Sequence, residues 1–110
     1  MDGITFFRTG DRDRVVDFYT DRLDCAVWRE QPDCTILTAG DYALGFCARE
    51  PPETEGCLTF LRDDRAGVDA LYDALEDVAD DEPRFNETYD IYQFFADDPE
   101  GRTVEVQTFE

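Results

Sequence analysis

Lysine and histidine are both missing from this chain of 110 residues, and all ten basic residues are arginine. Against 28 Asp and Glu they leave a formal net charge of −18. No basic stripe exists to meet phosphates, so nucleic acid is not an expected partner. No apolar run comes near the ~20 residues that cross a bilayer, and no signal peptide is expected. We therefore expect a soluble cytoplasmic protein with no membrane contact. The cysteines are few: Cys25, Cys34, Cys47 and Cys57, with no Cys-x-x-Cys pair among them. That argues against a zinc site or a redox motif. In a cytosolic protein they are expected to be small buried hydrophobes.

What is present suffices for a folded core. Apolar residues make up 42% of the chain and aromatics 14%, whereas a disordered acidic chain would lack the aromatics. This length makes one domain. So much charge of one sign costs stability through self-repulsion and keeps the domain in solution, a lever halophiles use. At molar salt the screening length is only ~3 Å, and the repulsion largely vanishes. Together with the absence of lysine, this implies a salt-loving cytoplasm.

Along the chain, Ile4–Thr9 reads as a strand and Asp11 as a helix N-cap. Val15, Phe18, Tyr19 and Leu23 then share one helical face. A strand follows over Cys25–Glu30. Cys34–Thr38 and Tyr42–Ala48 form a hairpin around Ala39-Gly40-Asp41. Residues 51–56, with two prolines and a glycine, read as a linker. The pattern then restarts with a strand over Cys57–Arg62. A helix capped by Asp63-Asp64 follows, with Val68, Leu71, Tyr72, Leu75 and Val78 on one face. A short strand is expected near Arg84–Asn86. The closing hairpin turns at Asp98-Pro99-Glu100-Gly101, where proline pre-sets the backbone and glycine accepts a positive φ. Beyond the turn, Val104 and Val106 alternate with Thr103, Glu105 and Gln107. If the valines pack under helices, Glu105 looks out from the sheet's other face.

The halves align with one another. Thr5-Phe6-Phe7-Arg8 matches Thr59-Phe60-Leu61-Arg62, and Asp41–Ala48 matches Gly101–Thr108. The fold class is therefore α+β, with two tandem βαβββ modules at 1–50 and 57–110. Neither half of such a repeat buries its sheet alone. Side by side, the two give a curved eight-stranded sheet with helices on one side and a concave cleft on the other.

The duplicated plan resembles the vicinal oxygen chelate superfamily, which includes glyoxalase I, extradiol dioxygenases and the fosfomycin and bleomycin resistance proteins. Phe18-Tyr19, the Cys57–Asp64 stretch, Gly67–Tyr72 and Asp98–Val106 carry the likeness over nearly the whole chain. The resemblance implies a homodimer with clefts shaped at or near its interface. In metal-dependent members it also implies four inward metal-ligand positions, usually His and Glu. They fall here on Ile4, Gly45, Cys57 and Glu105, and Ile4 and Gly45 have no donor side chain. No cofactor is therefore expected, and the partner is a small-molecule ligand. The alternative is a divalent metal (Ni, Zn, Mn or Fe) at Glu105 and Cys57, serving a lyase, isomerase or dioxygenase. A non-catalytic accessory subunit is a third possibility.

Candidate ligand contacts are Glu105, Trp28, Phe6, Phe60, Arg8 and Cys57. Phe6, Trp28, Phe60, Phe94 and Phe95 offer aromatic surface for a planar or apolar molecule, although core packing explains most of them. Trp28 stands out because strand two often forms the cleft wall in the resembled family. Arg8 and Arg62 either clamp an anion bidentately or pair with surface acids. Cys57 reads as a ligand or, more simply, as a buried thiol. Glu105 reads as a general base, a partner for a ligand cation, or a carboxylate hydrogen-bonded without chemistry.

The charge generates the first test. In a KCl titration followed by denaturant unfolding, stability should fall steeply below molar salt; equal stability in dilute buffer would refute the salt-loving origin.

Overall fold

A computed structural model describes residues 2–110. The chain divides into two compact units, one running to Thr54 and the other beginning at Glu55.

The first unit runs β1 (Thr5–Thr9), α1 (Arg12–Arg22), β2 (Ala26–Glu30), β3 (Cys34–Ala39) and β4 (Tyr42–Ala48). Its sheet has the order β1-β4-β3-β2. Only the β1–β4 pair, bridged by the helical crossover, is parallel. Asp11 starts α1 as expected, its carboxylate accepting from the Arg14 backbone N–H, which satisfies one of the orphan donors of the first turn. Val15, Phe18, Tyr19 and Leu23 are all buried. Tyr19 stacks on Phe46 of β4 at 5.1 Å, and Phe7 of β1 lies 5.9 Å from the same ring. The helix-covered face of this sheet is thus an aromatic sandwich. The tight β3–β4 turn uses Gly40 at φ +57, where a side chain would be strained.

The second unit repeats the plan with β5 (Cys57–Leu61), α2 (Arg65–Leu75), β6 (Arg84–Asn86), β7 (Ile91–Asp97) and β8 (Thr103–Phe109), in the order β5-β8-β7-β6. Asp64 caps α2 through the Gly67 N–H at 2.8 Å. Val68, Leu71 and Leu75 are buried, whereas Val78 falls in a short 3-10 turn, Glu76–Val78, that ends the α-helix early. Leu58, Phe60, Phe94, Val104 and Val106 complete this core. The eight strands therefore form two four-stranded sheets, each with one helix on one face.

Register decides which residues reach the uncovered faces. Phe6 pairs with Gly45, whereas Thr59 pairs with Glu105. With Gly45 matched to Glu105, Phe6 corresponds to Thr59 and Phe7 to Phe60. The sequence alignment of Thr5–Arg8 with Thr59–Arg62 is thus one residue out, because the strands contain similar residues at adjacent positions. Alternation turns a one-residue error into the opposite face. Phe60, 2% exposed, is accordingly a core residue under α2 and not a ligand contact. Arg8 and Arg62 are not equivalent either.

The cysteines also need correcting. Antiparallel pairing of β3 and β4 sets Cys34 directly opposite Cys47, and the two form a disulfide. Cys25 is buried, as expected, and forms no disulfide, but Cys57 is exposed. A spacing of thirteen residues hides what a hairpin register brings together.

The closing turn is held from inside. Asp98 accepts from the backbone N–H of Glu100 and of Arg102, and from Arg102 Nη1 at 3.0 Å. The side chains of Asp98 and Arg102 are fully buried, and Glu100 adds a second carboxylate 3.0 Å from Arg102 Nη1. Gly101 takes the positive φ that the turn requires. Removing one partner strands a buried charge, at a cost of about 3–5 kcal/mol. Asp98→Ala should lose about that much in equilibrium urea unfolding, and Glu100→Gln clearly less; an Asp98→Ala protein of unchanged stability would refute the role given to this pair.

Candidate functional site

The most organised polar constellation lies on the uncovered face of the second sheet. Val104 and Val106 are fully buried beneath α2, so alternation sends Glu105 the other way. There Thr59 Oγ1 of β5 donates to Glu105 Oε1 at 2.8 Å. Gln93 Nε2 of β7 donates to Glu105 Oε2. Asn86 Nδ2 of β6 donates to Gln93 Oε1 at 2.9 Å, and the Thr88 backbone N–H donates to Asn86 Oδ1 at 3.1 Å. One hydrogen-bond chain therefore crosses all four strands. Its polarity is set at Gln93, which presents its amide nitrogen to Glu105 and turns its oxygen to Asn86.

A cavity of about 430 Å³ opens beside this chain, at the outer edge of β7. Asp80, Glu82, Phe85, Asn86, Gln93 and Phe95 are among its lining. The Asp80 backbone N–H bonds the Phe95 carbonyl and ties the segment after α2 to the same edge. Phe95 pairs with Glu105 across the β7–β8 ladder and is partly exposed. Phe94, its neighbour, points to the helix side and meets Tyr72 edge-on at 5.5 Å. Of the residues around this cavity, the sequence marks Phe94 and Phe95 as aromatic surface and Asp80-Asp81-Glu82 as an acidic run, read as solvated surface rather than a cation site. Asn86 and Gln93 escaped notice because amides on strands carry no motif; their alternation parity with Glu105 was the one available signal.

The remaining candidates lie elsewhere. Phe6 spreads its ring over Gly45: a Cβ built on Gly45 would come within 2.5 Å of Phe6 Cδ1. Arg8 is committed to the segment after β4. Its backbone N–H donates to Glu53 Oε1 at 2.8 Å and its Nε to the Pro51 carbonyl at 3.1 Å. It thus pairs with local surface groups, one of the two roles foreseen for it. Trp28 sits at a bulge in β2, between Val27 and Arg29. It is 40% exposed, and the Arg29 guanidinium lies 4.5 Å from its ring centre. Cys57 Sγ is 3.8 Å from Thr59 Oγ1, at the margin of the Glu105 network.

A family model described as the Glyoxalase/Bleomycin resistance protein/Dioxygenase superfamily matches residues 3–106. The chain belongs to that superfamily. Its fold is shared by a glyoxalase/bleomycin resistance protein/dioxygenase family enzyme from Burkholderia phytofirmans PsJN, at 19% identity and TM-score 0.84, with 97% of each chain covered. A lactoylglutathione lyase from Agrobacterium tumefaciens is similar at 20% identity and TM-score 0.79, with 98% of this chain and 92% of that one covered. A glyoxalase/bleomycin resistance protein/dioxygenase from Alicyclobacillus acidocaldarius matches at 20% identity and TM-score 0.78, covering 97% and 89%. At such identities the likeness is one of fold. No curated protein matches the chain.

The donor set fits the superfamily's metal poorly. Divalent cations of this kind want several oxygen or nitrogen ligands in a fixed array. Of the four positions, Ile4 and Gly45 offer none, and the Phe6 ring occupies the space a side chain at 45 would need. Both oxygens of Glu105 already accept hydrogen bonds. Among the described residues, no three His, Cys, Asp or Glu side chains gather into a metal-holding group. No helix among them is long and apolar enough to cross a membrane.

The cysteine assignments can be counted. Iodoacetamide should label one thiol, Cys57, in the native protein, a second, Cys25, on unfolding, and two more only after reduction. Mass spectrometry of tryptic peptides reads the order, and labelling of Cys34 or Cys47 before reduction would refute the pairing.

Proposed function

We propose that this protein binds a small molecule at the polar face and edge cavity of its second sheet, with no metal taking part. It acts by sequestration, as a homodimer, in the cytoplasm of a salt-loving cell. One observation carries the proposal. The carboxylate that the superfamily would offer to a cation is satisfied by Thr59 and Gln93, beside a cavity large enough for a small ligand and walled in part by Phe95. Concave, partly aromatic sites with a few fixed polar groups are the usual form of such sites. Glu105 then serves to orient its neighbours; it has no acid–base partner of the kind a general base requires.

A second reading has one observation in its favour. The exposed Cys57 thiol lies near Thr59, which itself bonds Glu105. A reduced metal site there would suit a lyase, isomerase or dioxygenase.

Two measurements at high salt separate these readings. A thermal-shift screen of small molecules should find compounds that raise the melting temperature, since a ligand selective for the folded state stabilises it. Metal analysis after incubation with Ni, Zn, Mn or Fe should find no stoichiometric ion. Stoichiometric metal that is lost in Glu105→Gln would establish the second reading. A screen without any hit, on metal-free protein, would leave an accessory subunit.

A further inference from the structure

The orientation of the amide chain has a consequence for what the cavity can hold. Gln93 uses one N–H on Glu105 and its oxygen on Asn86; Asn86 uses one N–H on Gln93 and its oxygen on Thr88. A primary amide carries two N–H groups. Each of these residues therefore keeps one hydrogen with no protein partner among the described residues, while each oxygen already accepts one hydrogen bond. Gln93 is only 9% exposed, and both residues line the cavity. The two amides thus present a pair of unused donors at the cavity.

Which acceptor fits is decided by the rest of the lining. Asp80, Asp81, Glu82 and Glu87 stand around the opening with one arginine, Arg84, which pairs with Asp81. The surrounding field is negative, so an anionic acceptor meets like charge. Phe95 offers apolar surface, partly exposed in the free protein, whereas Phe85 pairs with Tyr92 on the ladder and turns its ring to Arg65 on the helix side. We propose that the cavity takes an uncharged molecule with a flat apolar body and a carbonyl oxygen, the oxygen accepting from the spare amide hydrogens of Asn86 and Gln93. This rests on the small-molecule-binding function proposed above and names the ligand class for it. Glu105 acts as a positioning residue, fixing both amides with their donors free.

Three probes of nearly the same shape test it: acetophenone, isopropylbenzene and benzoate. Each is titrated into the full chain in molar KCl, with the side-chain amide signals of Asn86 and Gln93 followed by NMR. Acetophenone should bind about tenfold more tightly than isopropylbenzene, the size expected for a hydrogen bond to an otherwise unpaired buried donor. It should move both amide signals, and benzoate should bind more weakly than either. In Asn86→Asp or Gln93→Met the ratio of acetophenone to isopropylbenzene affinity should fall to about one. Equal affinity for acetophenone and isopropylbenzene in the wild type would overturn the carbonyl assignment and leave cavity binding intact. Tightest binding by benzoate would overturn the exclusion of anions. Failure of all three to shift any resonance lining the cavity would overturn this inference, while the library screen for thermal shifts would still decide the broader function.

Discussion

The buried pairing of Asp98 with Arg102 is the constraint on which the second unit depends. A β-hairpin has only two parities, and a slip of one residue exchanges its faces. Here the wrong parity would bury Glu105 under α2 and turn Val104 and Val106 outward. The turn alone cannot forbid this, because proline and glycine favour a bend without fixing the register of the strand beyond it. An ion pair that closes only when Asp98 and Arg102 meet inside the bend forbids it more firmly. The arrangement of polar groups on the uncovered face is thus set by a charge pair that never touches it.

Much of the fold is legible in the residues themselves. The α1 and α2 faces, both aspartate caps, the short β6 and the final turn follow from periodicity and turn chemistry, and the structure places each within a residue or two. Equivalence between the halves was harder. Phe6-Phe7 and Phe60-Leu61 are alike in composition but not in parity, and only the ladder pairing of Phe6 with Gly45 and of Thr59 with Glu105 resolves them. The Cys34–Cys47 bond was hidden for a similar reason, since cross-strand proximity depends on register and register is not written in spacing.

The site was legible only in its centre. Glu105 follows from the alternation of β8, but its partners come from three other strands, at separations of 46, 12 and, by way of Gln93, a further 7 residues. No local pattern announces such a chain. Membership of the superfamily locates the position where its metal-using members place a ligand; what fills the neighbouring positions is particular to this chain, and a shared fold carries little weight for activity. In the first unit an aromatic ring covers Gly45, and in the second two amides stand beside Glu105.

The bulge at Trp28 bears on solubility. β2 is the outermost strand of its sheet, and all five of its residues are exposed. A flat, unpaired edge of this kind invites a neighbour's strand to add to it. In dilute buffer the mutual repulsion of highly anionic molecules keeps such edges apart. Brine removes that protection, because dissolved ions screen the charges at short range. A kink that spoils the spacing of the edge works equally well at any ionic strength. The bulge in β2 thus guards this sheet edge by shape, whatever the salt around it.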